Sequence, residues 1–140
     1  MELNRREWCA LLPALLSSSW LQSDSGLSSF VIAFDDLETK KREKSESRSV
    51  VKGSTRTGEK IEVHETLLHP GAMPHAPHRH PHSEFWLIRE GTVEITINGK
   101  AHRIGPGSVG FAASNDEHGI KNVGDGAATY FVVAIGPTAV

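Results

Sequence analysis

The chain has 140 residues, long enough for one domain with a packed core and too short for two. Charged residues make up 23% of it and the formal net charge is -2, so neither a nucleic-acid footprint nor an acidic tail is indicated. The single cysteine, Cys9, excludes an internal disulfide framework and a CxxC zinc site, and no apolar run approaches the roughly 18 to 20 residues of a membrane-spanning helix.

Residues 1–26 stand apart. Asn4-Arg5-Arg6-Glu7-Trp8 precedes a modest apolar stretch to Leu16, and Ser17-Ser18-Ser19 follows. Paired arginines, a short apolar region and small residues have the layout of a twin-arginine export signal, which implies a periplasmic or extracellular protein. The competing reading is a short N-terminal helix packing Leu12, Leu15 and Leu16 on a cytoplasmic body. Residues 27–140 then form one domain, entered through a polar linker, Ser23 to Ser29. Phe30 to Phe34 is a short apolar run that reads as a strand. Glu38 to Ser49 mixes charges without an apolar period and reads as an exposed, solvated loop.

From Lys60 the pattern is β. Ile61, Val63 and Leu67 alternate with polar neighbours before Pro70-Gly71 ends the run, and Phe85 to Ile88 is a short buried strand. Val93, Ile95 and Ile97 alternate with Glu94, Thr96 and Asn98. Asn98-Gly99 is a strong hairpin signal, because both residues tolerate the positive φ of a type I′ turn. His102 and Ile104 carry the return strand. Val109 to Ala112, His118 to Val123 and Thr129 to Ile135 supply three more strands, separated by Asn115-Asp116 and Gly124-Asp125-Gly126. Many short strands with frequent turns argue for an all-β sandwich or barrel.

Four groups in this frame can hold one divalent metal: His78 and His80 as an H-x-H pair, Glu84, and the distant His118. Residues two apart on a strand share a face, so His78 and His80 can chelate from one side. Strict alternation would also put His82 and Glu84 there, and a bend near Pro81 is expected to leave one of them out. Glu84 is preferred because it opens the strand Phe85 to Ile88, which makes His82 a loop or rim residue. Three imidazoles and a carboxylate suit Fe, Mn, Ni or Zn. His64 sits on a polar strand face that is either exterior or cavity, and His75 has no assigned role. His102 reads as exposed on its hairpin. No serine, cysteine or lysine nucleophile motif is present.

The run from Gly71 through His78, His80 and Glu84 to Gly91 resembles the first cupin motif, G(X)5HXH(X)3-4E(X)6G, with one extra residue after Gly71. Gly99, Pro106, Gly107, His118 and Asn122 follow the second motif, G(X)5PXG(X)2H(X)3N, more loosely. The resemblance covers residues 60–136. It implies a cupin-type β-barrel (a double-stranded β-helix or jelly roll) with one metal bound inside by His78, His80, Glu84 and His118, and a chain that dimerises. It also implies that Trp86, Ile88 and Phe111 line the pocket, with Ile95 and Ile120 as ordinary core.

The resemblance further implies an enzyme acting on a small oxygenated molecule. A dioxygenase-like oxidoreductase using Fe or Mn leads; a Lewis-acid isomerase or hydrolase using Zn or Ni, or a non-catalytic binding module, follows. Arg79 and Arg89 both alternate away from the site, and no other arginine is clearly placed to clamp an anion. A neutral, phenolic or enolic substrate is therefore expected, with no nucleic-acid or integral membrane partner.

Overall fold

Backbone pairing turns the alternating segments into two antiparallel sheets. The computed structural model describes residues 26–137 and 139. Its strands are β1 (Glu38–Lys41), β2 (Ser45–Ser54), β3 (Lys60–Leu68), β4 (Ser83–Glu90), β5 (Val93–Ile97), β6 (Lys100–Ile104), β7 (Val109–Ala112), β8 (His118–Asn122) and β9 (Ala128–Ile135). A six-stranded sheet runs β1-β2-β3-β9-β4-β7 and a three-stranded sheet runs β6-β5-β8. Trp86, Ile88, Tyr130 and Val132 of the first sheet meet Val93, Ile95 and Ile120 of the second in one buried cluster. The expected all-β jelly roll is therefore present, as two sheets packed over a shared core. The possible export signal or helix in residues 1–26, with Cys9, lies outside the described residues except for Gly26.

The β5–β6 hairpin turns where expected, with φ of 47° at Asn98 and 80° at Gly99. Two expectations near the N-terminal end are corrected. Phe30 to Phe34 is not a strand: the chain passes through unpaired backbone into a short 3-10 turn, Phe34–Asp36, and Val31 is fully exposed. The mixed-charge segment is not a loop either, for it forms β1 and the first half of β2. Its charges are satisfied across strands, with Glu46 between Lys41 (3.3 Å) and Arg48 (3.0 Å). An apolar period was never required there, because one face is tied up in ion pairs and the other lines a cavity.

Glu65 shows how that outer face is held. It is 1% exposed, with Arg89 Nη1 2.8 Å from Oε1 and Arg48 Nη1 3.4 Å from Oε2. Both guanidinium groups also lie over the Phe34 ring, at 4.8 and 5.3 Å, which fastens the 3-10 turn to the sheet.

Candidate metal centre

Two backbone devices bring the histidines together. An isolated bridge joins His78 to His118 at the start of β8, with N–H to C=O bonds of 3.0 Å in both directions. The Asn115 N–H then donates to the His80 carbonyl at 2.9 Å, which fixes the next turn of the H-x-H segment. Glu84 enters from β4, where it pairs with Ala112 and Ala134 and so has a rigid base. One nitrogen each from His78, His80 and His118 lies within 4.8 Å of the others. Glu84 Oε1 is 3.2 Å from His80 Nε2, and its Oε2 is 3.7 Å from His118 Nε2.

The donor set fits a cation. His80 Nδ1 lies 2.9 Å from the His82 carbonyl, and His118 Nδ1 lies 2.8 Å from the Asp116 carbonyl. A carbonyl can only accept, so each Nδ1 carries a proton and each ring turns its Nε2 inward, the nitrogen a metal would take. Those two Nε2 atoms are 3.0 Å apart. A shared proton or a cation bound by both nitrogens accounts for that separation, and about 3 Å is the spacing of adjacent ligands held roughly 2.1 Å from one octahedral ion. His78 Nδ1 is buried without a hydrogen-bond partner among the described residues. Burial and the neighbouring rings of His75, His118 and His80 hold the His78 pKa below the ordinary value, which favours the neutral, ligating form.

His82 does not stay clear of the cluster. Its ring stacks on His80 at 3.5 Å between centroids, and its Nε2 is 3.2 Å from Glu84 Oε1. The bend at Pro81 thus places both His82 and Glu84 at the centre, rather than one of them, with His82 resting on the outside of the His80 ring. His80, His82 and Glu84 form a second, overlapping group of potential ligands. His75 makes an edge contact with His78 at 4.2 Å.

A cavity of about 270 Å³ opens beside these groups. Cross-strand register arranges its wall in rows, since residues paired across an antiparallel sheet share a face. Trp86, Val132 and His64 form one row, and Ile88, Tyr130, Thr66, Ser47 and Lys40 the next. Trp86 is buried and lines the cavity, its ring 5.4 Å from that of His118. Ile88 is packed in the core cluster and is not among the lining residues. Phe111 is corrected outright: it pairs with Phe85, stacks on it at 4.7 Å and is 47% exposed. Parity is the reason, because the β7 residues that share the face of Glu84 and Trp86 are Ala112 and Gly110. Ile120, expected as core, is buried and also touches the cavity, whereas Ile95 stays in the core.

His64, left between exterior and cavity, lies in the wall. Burial lowers its pKa, with Glu62 and Glu84 opposing that shift. Burial raises the Tyr130 phenol far above its usual value, so it remains a protonated donor. Sequence reasoning did not single out Tyr130, Thr66 or the residues of β1 and β2. The apolar set Ile61, Val63 and Leu67 drew attention to the opposite face of β3.

Family comparison agrees with this architecture. A model of the cupin domain matches residues 64–134, just over half of the chain. The chain belongs to the cupin family. Over 56 residues this cupin is 36% identical to L-ectoine synthase of Bordetella parapertussis, a match covering 39% of this chain and 43% of that protein, so it spans less than half the length of that relative. An RmlC-like cupin from Shewanella frigidimarina superposes with a TM-score of 0.66 at 14% identity, over 79% of this chain and 94% of its own. A predicted oxalate decarboxylase from Thermotoga maritima gives 0.57 at 20% identity, over 77% and 100%. At these identities the two structures support the fold alone.

Proposed function

We propose that this cupin binds one divalent metal through His78, His80, Glu84 and His118 and is an enzyme acting on a small oxygenated organic molecule. The observation that carries the reading is the convergence of the His80 and His118 Nε2 atoms, 3.0 Å apart, with the Glu84 carboxylate 3.2 Å from one of them and a His78 ring nitrogen within 4.8 Å. Fe or Mn is favoured with dioxygenase-like chemistry, and a metal held by four protein groups supplies open positions for substrate oxygen or O2. The chain's own residues do the rest. His64, kept neutral by burial, can accept a proton inside the cavity. Tyr130 donates a hydrogen bond without ionising. Trp86 and Val132 keep the inner wall apolar and limit water. Redox-neutral Lewis-acid chemistry on Zn or Ni, as an isomerase or hydrolase, is the second reading, since the same donor set accepts those ions.

Metal analysis of protein purified without chelators, beside His80→Ala and His118→Ala, tests this. About one equivalent of Fe or Mn, lost in both variants with the β-sheet circular dichroism intact, is the expected result. Stoichiometric Zn or Ni would move the assignment to Lewis-acid chemistry. Equal trace metal in all three proteins would sink the enzyme reading and leave a ligand-binding module.

We also propose that the chain pairs as a homodimer. Phe85, Leu87, Val109 and Phe111 are 37–58% exposed on the outer face of β4 and β7, a contiguous apolar surface suited to a second copy of the chain.

A further inference from the structure

The cavity is not uniform in charge. Its inner wall carries His64, His118 and Glu84, whereas its rim carries Lys40 and Arg42, both exposed and both among the lining residues. Lys40 lies in the row Lys40, Ser47, Thr66, Tyr130, all on the inward face of the sheet. Arg42 follows β1 directly, with its backbone N–H bonded to the Ser45 carbonyl at 2.8 Å. The β1–β2 hairpin therefore delivers two cations and the hydroxyls of Ser45 and Ser47 to one rim.

Those two cations are not spent on the fold. Of the acids along the hairpin, Glu38 and Glu43 are in no ion pair among the described residues, and Glu46, which also borders the cavity, has the opposite parity to Ser45 and Ser47 and is held by Lys41 and Arg48. Arg48 and Arg89 are committed to Glu65, and Arg79 to Glu117. Among the described residues no carboxylate lies within ion-pair distance of Lys40 or Arg42. Lysines on an edge strand also discourage strand addition, but Lys41, on the outward face, already supplies that charge.

We infer that Lys40 and Arg42, with the Ser45 and Ser47 hydroxyls, form an oxyanion subsite at the cavity mouth. The substrate is then a small anionic molecule: a carboxylate or phosphate group sits at this rim while a second oxygen function reaches the histidine end. This deepens the proposed function and rests on it. It also reverses the neutral substrate expected from the sequence, where the only arginines weighed were Arg79 and Arg89. A cavity of about 270 Å³ keeps the molecule to metabolite size. An ammonium and a guanidinium beside two hydroxyls supply enough donors to saturate a carboxylate or a phosphate.

Calorimetric titration of the metal-loaded protein with succinate, inorganic phosphate and neutral succinamide tests the subsite. Lys40→Gln, Arg42→Gln and the double variant serve as comparisons. Both side chains are exposed, so folding should survive, and the melting temperature checks that it does. Succinate or phosphate should bind the wild type. The double variant should bind about tenfold to a hundredfold more weakly, as expected for losing a charged hydrogen bond, with unchanged metal content. Whichever of the two binds more tightly identifies the anion. Equal affinity in wild type and double variant, equal binding of succinamide, or no binding of either anion would overturn the subsite. Metal content is read on the same samples. Absent metal with intact charge-dependent binding would therefore overturn the metal enzyme and not the subsite.

Discussion

Gly110 is where the fold of the cavity wall can be tested most sharply. It lies on β7 opposite Trp86, and a Cβ added there would come 2.6 Å from Ile95 Cδ1 and 3.1 Å from Trp86 Cε3. Ordinary carbon contacts are about 3.5–4.0 Å, so Gly110→Ala needs a displacement on the order of 1 Å. Ile95 and Trp86 are both 2% exposed and have little room to give. Overpacking of this kind costs about 1–3 kcal/mol, offset by about 0.4–1 kcal/mol because alanine restricts the unfolded chain. A net loss of about 1–2 kcal/mol follows. Ile95→Val removes the offending Cδ1 and alone costs about 0.5–1.5 kcal/mol. In the double variant the clash with Ile95 is gone, so the two losses should fall short of additivity by about 1 kcal/mol. Urea denaturation of the four proteins, with metal chelated throughout, measures the cycle. Additivity within about 0.5 kcal/mol, or no loss in Gly110→Ala, would refute the packing of Ile95 and Trp86 against this glycine.

Three other outcomes are expected. His64 and His78 have folded pKa values lowered chiefly by burial, so the unfolded chain takes up protons first as pH falls. The metal-free protein should keep full stability above the unfolded histidine value of about 6.5 and lose it as pH drops below that toward the folded values; melting temperatures that stay flat or rise on acidification would contradict this. Asn122 is fully buried, donating to the Leu68 and Gly126 carbonyls at 2.9 and 2.8 Å and accepting from the Gly124 N–H at 2.9 Å. Asn122→Ala should cost about 2–3 kcal/mol in denaturant titration with little change in metal content, since it strands buried backbone groups and touches no proposed ligand. Sedimentation should show a dimer that Phe111→Glu dissociates, and a wild-type monomer would remove the outer face of β4 and β7 as its interface.

The sequence carried the strands from Lys60 onward because their inner and outer residues differ in kind. Val93, Ile95 and Ile97 face a dry core while their neighbours face water, so period-two alternation reports the fold directly. It carried the histidines and Glu84 for another reason: their spacing is set along one short segment and needs only His118 from elsewhere. Where a strand borders the cavity, the same logic inverts. On β3 the apolar residues Ile61 and Val63 point outward, while His64 and Thr66 point into the cavity. On β2 neither face is apolar, so its serines and charges look like a solvated connection. The parity error at Phe111 has a related origin, since a phenylalanine in a short strand is expected inside, and only the pairing with Phe85 shows that Gly110 keeps the inside place clear for Trp86. Polar strands that read as loops are therefore where a cavity wall is most readily missed, and here the β1–β2 hairpin supplies Lys40 and Arg42, the two cations of the proposed subsite.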